Sequence, residues 1–290
     1  MRLHSDSDGV KAQSAMEYLM TYGWAILIIA IVLAALFQLG VFSSNTFAPK
    51  ASPGSCQVFR PNGPGSTQFI NTEGVCNGEL PQYVANFNAA GGGITLSPMM
   101  EPQDYTAVLW FNTGAISTSE NPLLMFWGAY NARVEINPTT NTIYFERDAG
   151  GSVDSGIKPA VGQWYQVVVV LASSKAASIY VNGVLENTGS TPTGTEIWYT
   201  NDFIGHDGDF GYNFNGSIAN VQIYNTSLSQ PEITALYQEG IGGAPIDLQH
   251  LVGWWPLNGN AHDYSGNNNN GQTNGGVTFT SSWENGYTPP

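Results

Sequence analysis

From residue 83 onward the chain consists of short apolar runs separated by turn-forming residues. Within several runs apolar and polar positions alternate, which is the period-two pattern of strands with one buried face. The alternation predicts ten strands, at residues 83–87, 93–96, 105–112, 123–127, 133–136, 142–147, 164–171, 178–181, 197–204 and 216–224. A series of short strands of this kind predicts a mainly β fold, a sandwich of two sheets.

Two local signals refine this pattern. Asn182 and Gly183 stand between apolar runs and supply the two positive-φ residues of a type I′ hairpin turn. A helix is predicted to begin after Ser229, whose side chain and that of Glu232 have the spacing of a capping box, and to end at Gly240.

The N-terminal part has a different pattern. Residues 24–37 are apolar at every position, and no charged residue stands between Glu17 and Lys50. A helix of this length and polarity could cross a hydrocarbon layer of about 30 Å. Because Arg2 and Lys11 precede the apolar stretch, the positive-inside rule predicts a cytoplasmic N-terminus and an extracellular remainder.

The residues before the apolar stretch resemble the archaeal class III signal peptide of type IV pilin-like proteins. The residues that carry the resemblance are Lys11, Ala12, Gln13 and Glu17. It implies a leader over residues 1–12, removed by a prepilin-type peptidase, and a membrane or filament-core helix over residues 13–42. Glu17 would then pair with the α-amine of a neighbouring subunit, since a carboxylate in an apolar bundle needs an opposite charge. The alternative is a plain membrane anchor without self-assembly.

Residues 43–81 are rich in Ser, Pro, Gly and Asn, a composition that disfavours helices and central strands. We expect a stalk that spaces the following domain from the membrane. Cys56 and Cys76 would form a disulfide in an oxidising exterior, which contributes roughly 3 kcal/mol in the chain-entropy model. Two thiols alone do not make a structural zinc site, which needs four ligands.

Four segments resemble the laminin-G-like, concanavalin-A-like jelly-roll domains: residues 162–167, 179–185, 214–225 and 228–237. The family often has His where Gln166 stands, a neutral departure. The resemblance implies a β-sandwich jelly roll over residues 82–290, and it carries more information on fold than on activity.

A further stretch, from residue 251 to residue 279, resembles the opening strand of such a domain, although here it comes last. The chain would then be circularly permuted, with residues 249–280 as the displaced opening strand. The alternative is the truncated start of a second domain. Burial of Val252, Trp254 and Leu257, at about 2 kcal/mol each, favours permutation.

The composition limits the possible partners. The chain has 22 acidic and 8 basic residues, a net charge of −14, so no basic patch is available for nucleic acid. Glycoside hydrolysis needs two facing carboxylates, whereas residues 133–137 contain only Glu135, which we expect to face solvent. None of the four histidines lies in a nucleophile motif. The sequence therefore predicts a protein that is not an enzyme.

Three aspartates, Asp202, Asp207 and Asp209, cluster in a Gly-rich segment and are candidate calcium ligands. The alternative is that they cap turns, because their spacing matches no calcium motif. His206 is expected at the surface, since calcium prefers oxygen ligands.

Trp198, Tyr199 and Tyr212 lie close to these aspartates in sequence and could form a stacking platform for a sugar. The alternative is burial, the usual fate of aromatic residues in strands and the one expected for Trp110 and Trp164. Two sequons place candidate N-glycosylation at Asn215 and Asn225, which could also simply occupy turns.

These patterns together predict a pilin-like protein of the cell membrane or of a surface filament, presenting a laminin-G-like domain outside the cell. The domain would serve adhesion or the recognition of surface glycans or proteins. The alternatives are a monomeric, membrane-anchored lectin-like protein and an anchored glycosidase.

Overall fold

The computed structural model describes residues 22, 26–33, 56–59, 69–72, 80–88, 91–99, 104–126, 131–147, 151–174, 176–191, 201–208 and 211–290. Contacts divide the chain into two units, Met1–Lys50 and Ala51–Pro290, which are described separately.

In the first unit, residues 26–33 are helical and their large apolar side chains are exposed. Among the residues described, no helix combines the length and apolarity needed to span a membrane. Most of the predicted helix over residues 13–42 lies outside the described residues, as do Lys11, Ala12, Gln13 and Glu17. The long apolar helix and the processing site stay predictions.

The second unit begins with a ribbon that the sequence analysis missed. Strand β1, Cys56–Phe59, pairs antiparallel with β2, Phe69–Thr72. The prolines and glycines of residues 60–68 lie in the connection between these strands, so the average composition of the segment concealed two short runs that lack them. Cys76 and the side chain of Cys56 lie outside the described residues, and the disulfide stays a prediction.

The remaining strands form two antiparallel sheets. They are β3 Val84–Phe87, β4 Gly92–Leu96, β5 Tyr105–Thr113, β6 Asn121–Phe126, β7 Ala132–Ile136, β8 Ile143–Arg147, β9 Gly151–Asp154, β10 Trp164–Leu171, β11 Ala176–Val181, β12 Val184–Ser190, β13 Asp202–Ile204, β14 Gly216–Tyr224, β15 Leu251–Trp255, β16 Gln272–Gly275 and β17 Thr278–Thr280. Sheet I has the order β12-β11-β10-β5-β14-β3-β17, with β15 also paired to β14, and sheet II has the order β16-β4-β13-β6-β7-β8-β9. The predicted sandwich of two antiparallel sheets is therefore confirmed.

Each of the ten predicted strands overlaps an observed strand. For the predicted strand over residues 197–204, only the part from residue 201 is described, and β13 covers its end. Strand β9 was missed, because its sequence, Gly-Ser-Val-Asp, is short and has a single large apolar residue.

The main core fills the space between the sheets. Alternate residues of sheet I face it, including Phe87, Phe111 and Val169, and meet Phe126 and Phe145 of sheet II. The opposite face of sheet I is also covered, by a helix and by the C-terminal segment, which form two smaller apolar clusters on it. The central part of sheet I is thus buried on both faces, which explains the nearly continuous apolar runs of β5 and β10.

The predicted helix is confirmed as α1, Gln230–Gln238, with Ser229 as N-cap. The Glu232 carboxylate accepts a hydrogen bond of 2.7 Å from the Ser229 N–H, which is one half of a capping box. The predicted hairpin turn is confirmed as well, since Asn182 and Gly183 have φ of 50° and 75°.

One edge of β14 is divided between two partners. Residues 216–218 pair with β3, whereas residues 221–224 pair with β15. Between them the register shifts and Asn220 has φ of 50°. Its Oδ1 accepts hydrogen bonds from Trp254 Nε1 at 2.8 Å and Gln222 Nε2 at 3.0 Å, which joins the C-terminal segment to the sheet. The predicted circular permutation itself stays a prediction.

The outer face of sheet II carries a carboxyl network that corrects one expectation. Glu135 was expected to face solvent, but it is 0% exposed. The Tyr144 hydroxyl lies 2.6 Å from Glu135 Oε1 and 2.5 Å from Glu146 Oε2. Arg133 donates to Glu146 Oε2 at 3.0 Å. Alternation within one strand could not reveal this network, because it depends on the pairing of β7 with β8.

Burial raises the pKa of Glu135 to about 7, although the Tyr144 hydrogen bond and the Arg133 charge both act to lower it. A hydroxyl has one proton, so two ionised carboxylates would compete for it. A protonated Glu135 removes this conflict, because it can donate to the Tyr144 oxygen while Tyr144 donates to Glu146.

We predict that Asn220→Ala lowers the free energy of unfolding by about 3 kcal/mol, because two buried donors lose their acceptor. The matched control is Asn141→Ala, at an exposed asparagine with φ of 58°. That variant tests the backbone conformation alone and should cost about 1 kcal/mol. Urea unfolding measures both, and equal losses would contradict the role given to the Asn220 side chain.

We also predict that stability depends on pH through Glu135. Its pKa is raised from 4.5 to about 7, so the native state keeps a proton that the unfolded state loses. The free energy of unfolding should therefore fall as pH rises from 4.5 to about 7, by roughly 3 kcal/mol at most, and change no further through this group above pH 7. Glu135→Gln, which mimics the protonated acid, should remove this slope. An unchanged slope in that variant would show that another group is responsible.

Candidate functional site

Two loops meet at one end of the sandwich, the β5–β6 loop and the β13–β14 loop. The backbone N–H of Gly114 donates to the Asn215 carbonyl at 2.8 Å, and that of Phe214 donates to the Gly205 carbonyl at 2.8 Å. Gly205 has φ of 77°, where a side chain would be strained and would meet the Phe87 ring. Local sequence therefore fixes how the second loop leaves β13.

These loops enclose a cleft with a volume of about 200 Å³, which we call the rim cleft. Its lining consists of Ala115, Ser117, Ser119, Glu120, Asn121, Gly211, Tyr212, Asn213 and Asn215. Tyr212 is 37% exposed, so its ring is available to a ligand. The polar groups are mostly hydroxyls and amides, and the lining contains no lysine or arginine.

The wall formed by the β5–β6 loop is organised by the buried side chain of Asn121. Its Oδ1 accepts a hydrogen bond from the Ser117 N–H at 3.1 Å, and its Nδ2 donates to the carbonyls of Ser117 and Ser119 at 3.2 and 2.8 Å. These bonds close the loop on itself before any ligand arrives. The wall is thus preformed, which lowers the entropic cost of binding.

Asp207 supports the other wall from beneath. Its Oδ1 accepts a hydrogen bond from the Tyr212 N–H at 3.1 Å, while Oδ2 is buried with no hydrogen-bond partner in the described part of the chain. Burial raises the pKa of Asp207, and the charge of Glu120 adds to this rise. Asp207 therefore positions Tyr212 rather than contacting solvent.

Only two of the three predicted calcium ligands lie in the described part of the chain. Asp202 and Asp207 are buried, whereas Asp209 lies outside the described residues. Within the ranges described, no three His, Cys, Asp or Glu residues lie close enough together to hold a metal ion. His206, expected at the surface, is half-buried against Phe203 with ring centroids 4.5 Å apart, and burial lowers its pKa. Calcium binding stays a prediction.

Of the three residues of the predicted aromatic platform, one lies in the described part of the chain. Tyr212 lines the rim cleft, whereas Trp198 and Tyr199 lie outside the described residues. The two sequon asparagines differ: Asn215 is half-buried in the cleft wall, and Asn225 is exposed after β14. Glycosylation of either stays a prediction.

The residues of the β5–β6 loop were not predicted as site residues. A signal was present, because Ser117, Ser119, Glu120 and Asn121 form a polar run between two apolar strands. Glu120 also links the cleft to the network on sheet II, since its carboxylate lies 4.0 Å from the Arg133 guanidinium.

The network itself brings two carboxyls, Glu135 and Glu146, to a single hydroxyl. Pairs of this kind can act as general acid and base in glycoside hydrolysis. Glu135 has no exposed surface here, so a substrate cannot contact it. No catalytic step is therefore assigned to this pair of carboxyls.

Comparison with solved structures shows the fold. A putative carbohydrate binding protein from Bacteroides ovatus superposes with a TM-score of 0.54 and 15% identity over 73% of this chain and 66% of that one. Domain 4 of the arabinanase AbnA from Geobacillus stearothermophilus has a TM-score of 0.45, at 19% identity over 56% and 82% of the two chains. Domains LG4-5 of the mouse laminin alpha1 chain have a TM-score of 0.40, at 15% identity over 57% and 46%.

The chain has no match among the curated proteins. Its residues 88–234, half of the chain, match the family model for laminin G domains of the concanavalin A-like type. This segment runs from the end of β3 to the first turns of α1 and includes both loops of the rim cleft. The chain belongs to the concanavalin A-like lectin/glucanases superfamily.

Proposed function

We propose that the chain is a cell-surface recognition protein whose sandwich binds a neutral, hydroxyl-rich carbohydrate at the rim cleft. Family membership supports recognition of a carbohydrate or a protein. The observation that favours a carbohydrate is the combination of an exposed Tyr212 ring with serine hydroxyls and asparagine amides in a preformed cleft. Aromatic rings with convergent polar groups are typical of such sites.

The charge of the cleft restricts the ligand. Glu120 is in its lining and Asp207 lies directly behind it, whereas the guanidinium of Arg133 is engaged with Glu146. An anionic sugar would meet the Glu120 carboxylate, and the lining offers it no lysine or arginine. The ligand class that fits is therefore an uncharged glycan, with its hydroxyls bound to amide and hydroxyl groups.

The N-terminal part supplies the other half of the proposal. The apolar stretch and the residues Lys11, Ala12, Gln13 and Glu17 support a pilin-like helix that carries the sandwich outside the cell after cleavage by a prepilin-type peptidase. Self-assembly through this helix would give a surface filament, and a monomeric anchored protein is the alternative. Electron microscopy of the native cell surface distinguishes the two.

For the cleft, we predict that Tyr212→Ala weakens glycan binding by about tenfold, because one stacked ring contributes about 1 kcal/mol or somewhat more. Tyr212→Phe keeps the ring and should bind like the wild type. A glycan array followed by calorimetry with the best neutral ligand measures this. Equal affinity of the wild type and Tyr212→Ala, or binding of anionic glycans alone, would contradict the proposal.

For the N-terminus, we predict that the protein isolated from a host with a prepilin-type peptidase begins at Gln13. Mass spectrometry of the intact protein measures this. Replacement of Lys11 by Ala should reduce cleavage, whereas Lys50→Ala, beyond the apolar stretch, should leave it unchanged. Recovery of intact chains that begin at Met1 would count against the pilin-like N-terminus without affecting the carbohydrate proposal.

A further inference from the structure

A second cleft lies on the outer face of sheet I, the face turned away from sheet II. It has a volume of about 240 Å³, and we call it the sheet I cleft. Its central residues are Asn86, Ser217, Asn112 and Trp164, with Trp283 and Asn285 along one side. This cleft is distinct from the rim cleft, although Asn215 lies in the lining of both.

The central residues form a row because of the strand register. Ser217 of β14 is paired with Asn86 of β3 on one side and with Asn112 of β5 on the other, and Asn112 is paired in turn with Trp164 of β10. Four adjacent strands at their usual spacing make a row of about 14 Å. Three polar side chains and an indole thus point the same way from one line across the sheet.

The amides of this row have unused bonding capacity. Asn86 Nδ2 donates to Ser217 Oγ at 3.2 Å, and Asn112 Nδ2 donates to the Asn285 carbonyl at a long 3.4 Å. In the described part of the chain neither amide oxygen accepts a hydrogen bond. Each amide also has a second N–H. The row therefore offers donors and acceptors together, as a sugar hydroxyl requires, because it both donates and accepts.

The two indoles are held in place by their own hydrogen bonds. Trp164 Nε1 donates to the Trp283 carbonyl at 2.9 Å, and Trp283 Nε1 donates to the Pro81 carbonyl at 3.0 Å. Their rings are perpendicular, with centroids 5.9 Å apart. With both N–H groups already bonded, the indoles contribute a rigid apolar wall to the cleft.

The lining excludes other ligand classes. It contains no charged side chain, so an ionic ligand would lose its hydration without a counter-charge. A peptide strand would need an open sheet edge, whereas this cleft lies on a sheet face where the backbone groups are already paired. We propose that the sheet I cleft is a second binding site, separate from the rim cleft, that takes a neutral saccharide.

The test uses the whole 290-residue chain labelled with 5-fluorotryptophan and made in a host without N-glycosylation, because a glycan on Asn215 would fill the cleft. The probes are maltose, cellobiose and lactose, with glucuronic acid as the anionic comparator. At least one neutral disaccharide should shift the fluorine signals of Trp164 and Trp283. The signal of Trp254, which is buried under another part of the same face, should stay unchanged.

Calorimetry with the same disaccharide provides a measurement that needs no signal assignment. Asn112→Ala should weaken binding by about tenfold, since it removes an amide pair from the row. Glu120→Gln and Tyr212→Ala are substitutions in the rim cleft. In both variants the same disaccharide should still shift the fluorine signals of Trp164 and Trp283, with unchanged affinity.

Three results would overturn this proposal. They are the absence of any shift with all three disaccharides at millimolar concentration, equal affinity of Asn112→Ala and wild type, and an equal response to glucuronic acid. A fourth result, loss of the shift in Tyr212→Ala, would overturn the separation of the two clefts by showing that they form one site. The first three results do not contradict glycan binding at the rim cleft, which the affinity of Tyr212→Ala tests separately.

Discussion

The structure depends on one edge of β14, with which two other strands pair. Strand β3 pairs with its first residues and β15 with its last, so two segments distant in sequence complete one sheet. The Asn220 side chain makes this possible, because it lies at the change of register and accepts a hydrogen bond from Trp254 of the later segment. Without the C-terminal segment, the outer face of sheet I would lose Leu251 and Trp254 from one apolar cluster and the indole of Trp283 from the other.

The two clefts differ in the charge of their linings. The chain has a net charge of −14, yet the lining of the sheet I cleft is uncharged, and the rim cleft contains the single acid Glu120. Of the acids near the rim cleft, Glu135 and Asp207 are buried, and burial raises the pKa of both. Burial thus keeps both carboxyls out of contact with a ligand, and Glu120 is the one acid in the lining of the rim cleft.

Much of the fold could be predicted because its signals are local. Alternation located the strands of the sandwich, and Asn182 with Gly183 and the capping residues of α1 each specify one backbone geometry. The carboxyl network around Glu135 and the sheet I cleft could not be predicted in the same way. The buried position of Glu135 depends on which strand lies beside β7, and the row through Asn112 depends on the register of four strands. The ribbon β1–β2 was missed because composition was averaged over its Pro-rich connection.

The central claim is that residues 251–290 form part of one sandwich and supply one side of the sheet I cleft. Hydrogen exchange on the whole chain tests it most directly. If the claim holds, the amide of Trp255 in β15 exchanges as slowly as that of Val221, the residue of β14 with which it pairs. Exchange of the Trp255 amide at the rate of an unpaired loop, with β14 still protected, would contradict it.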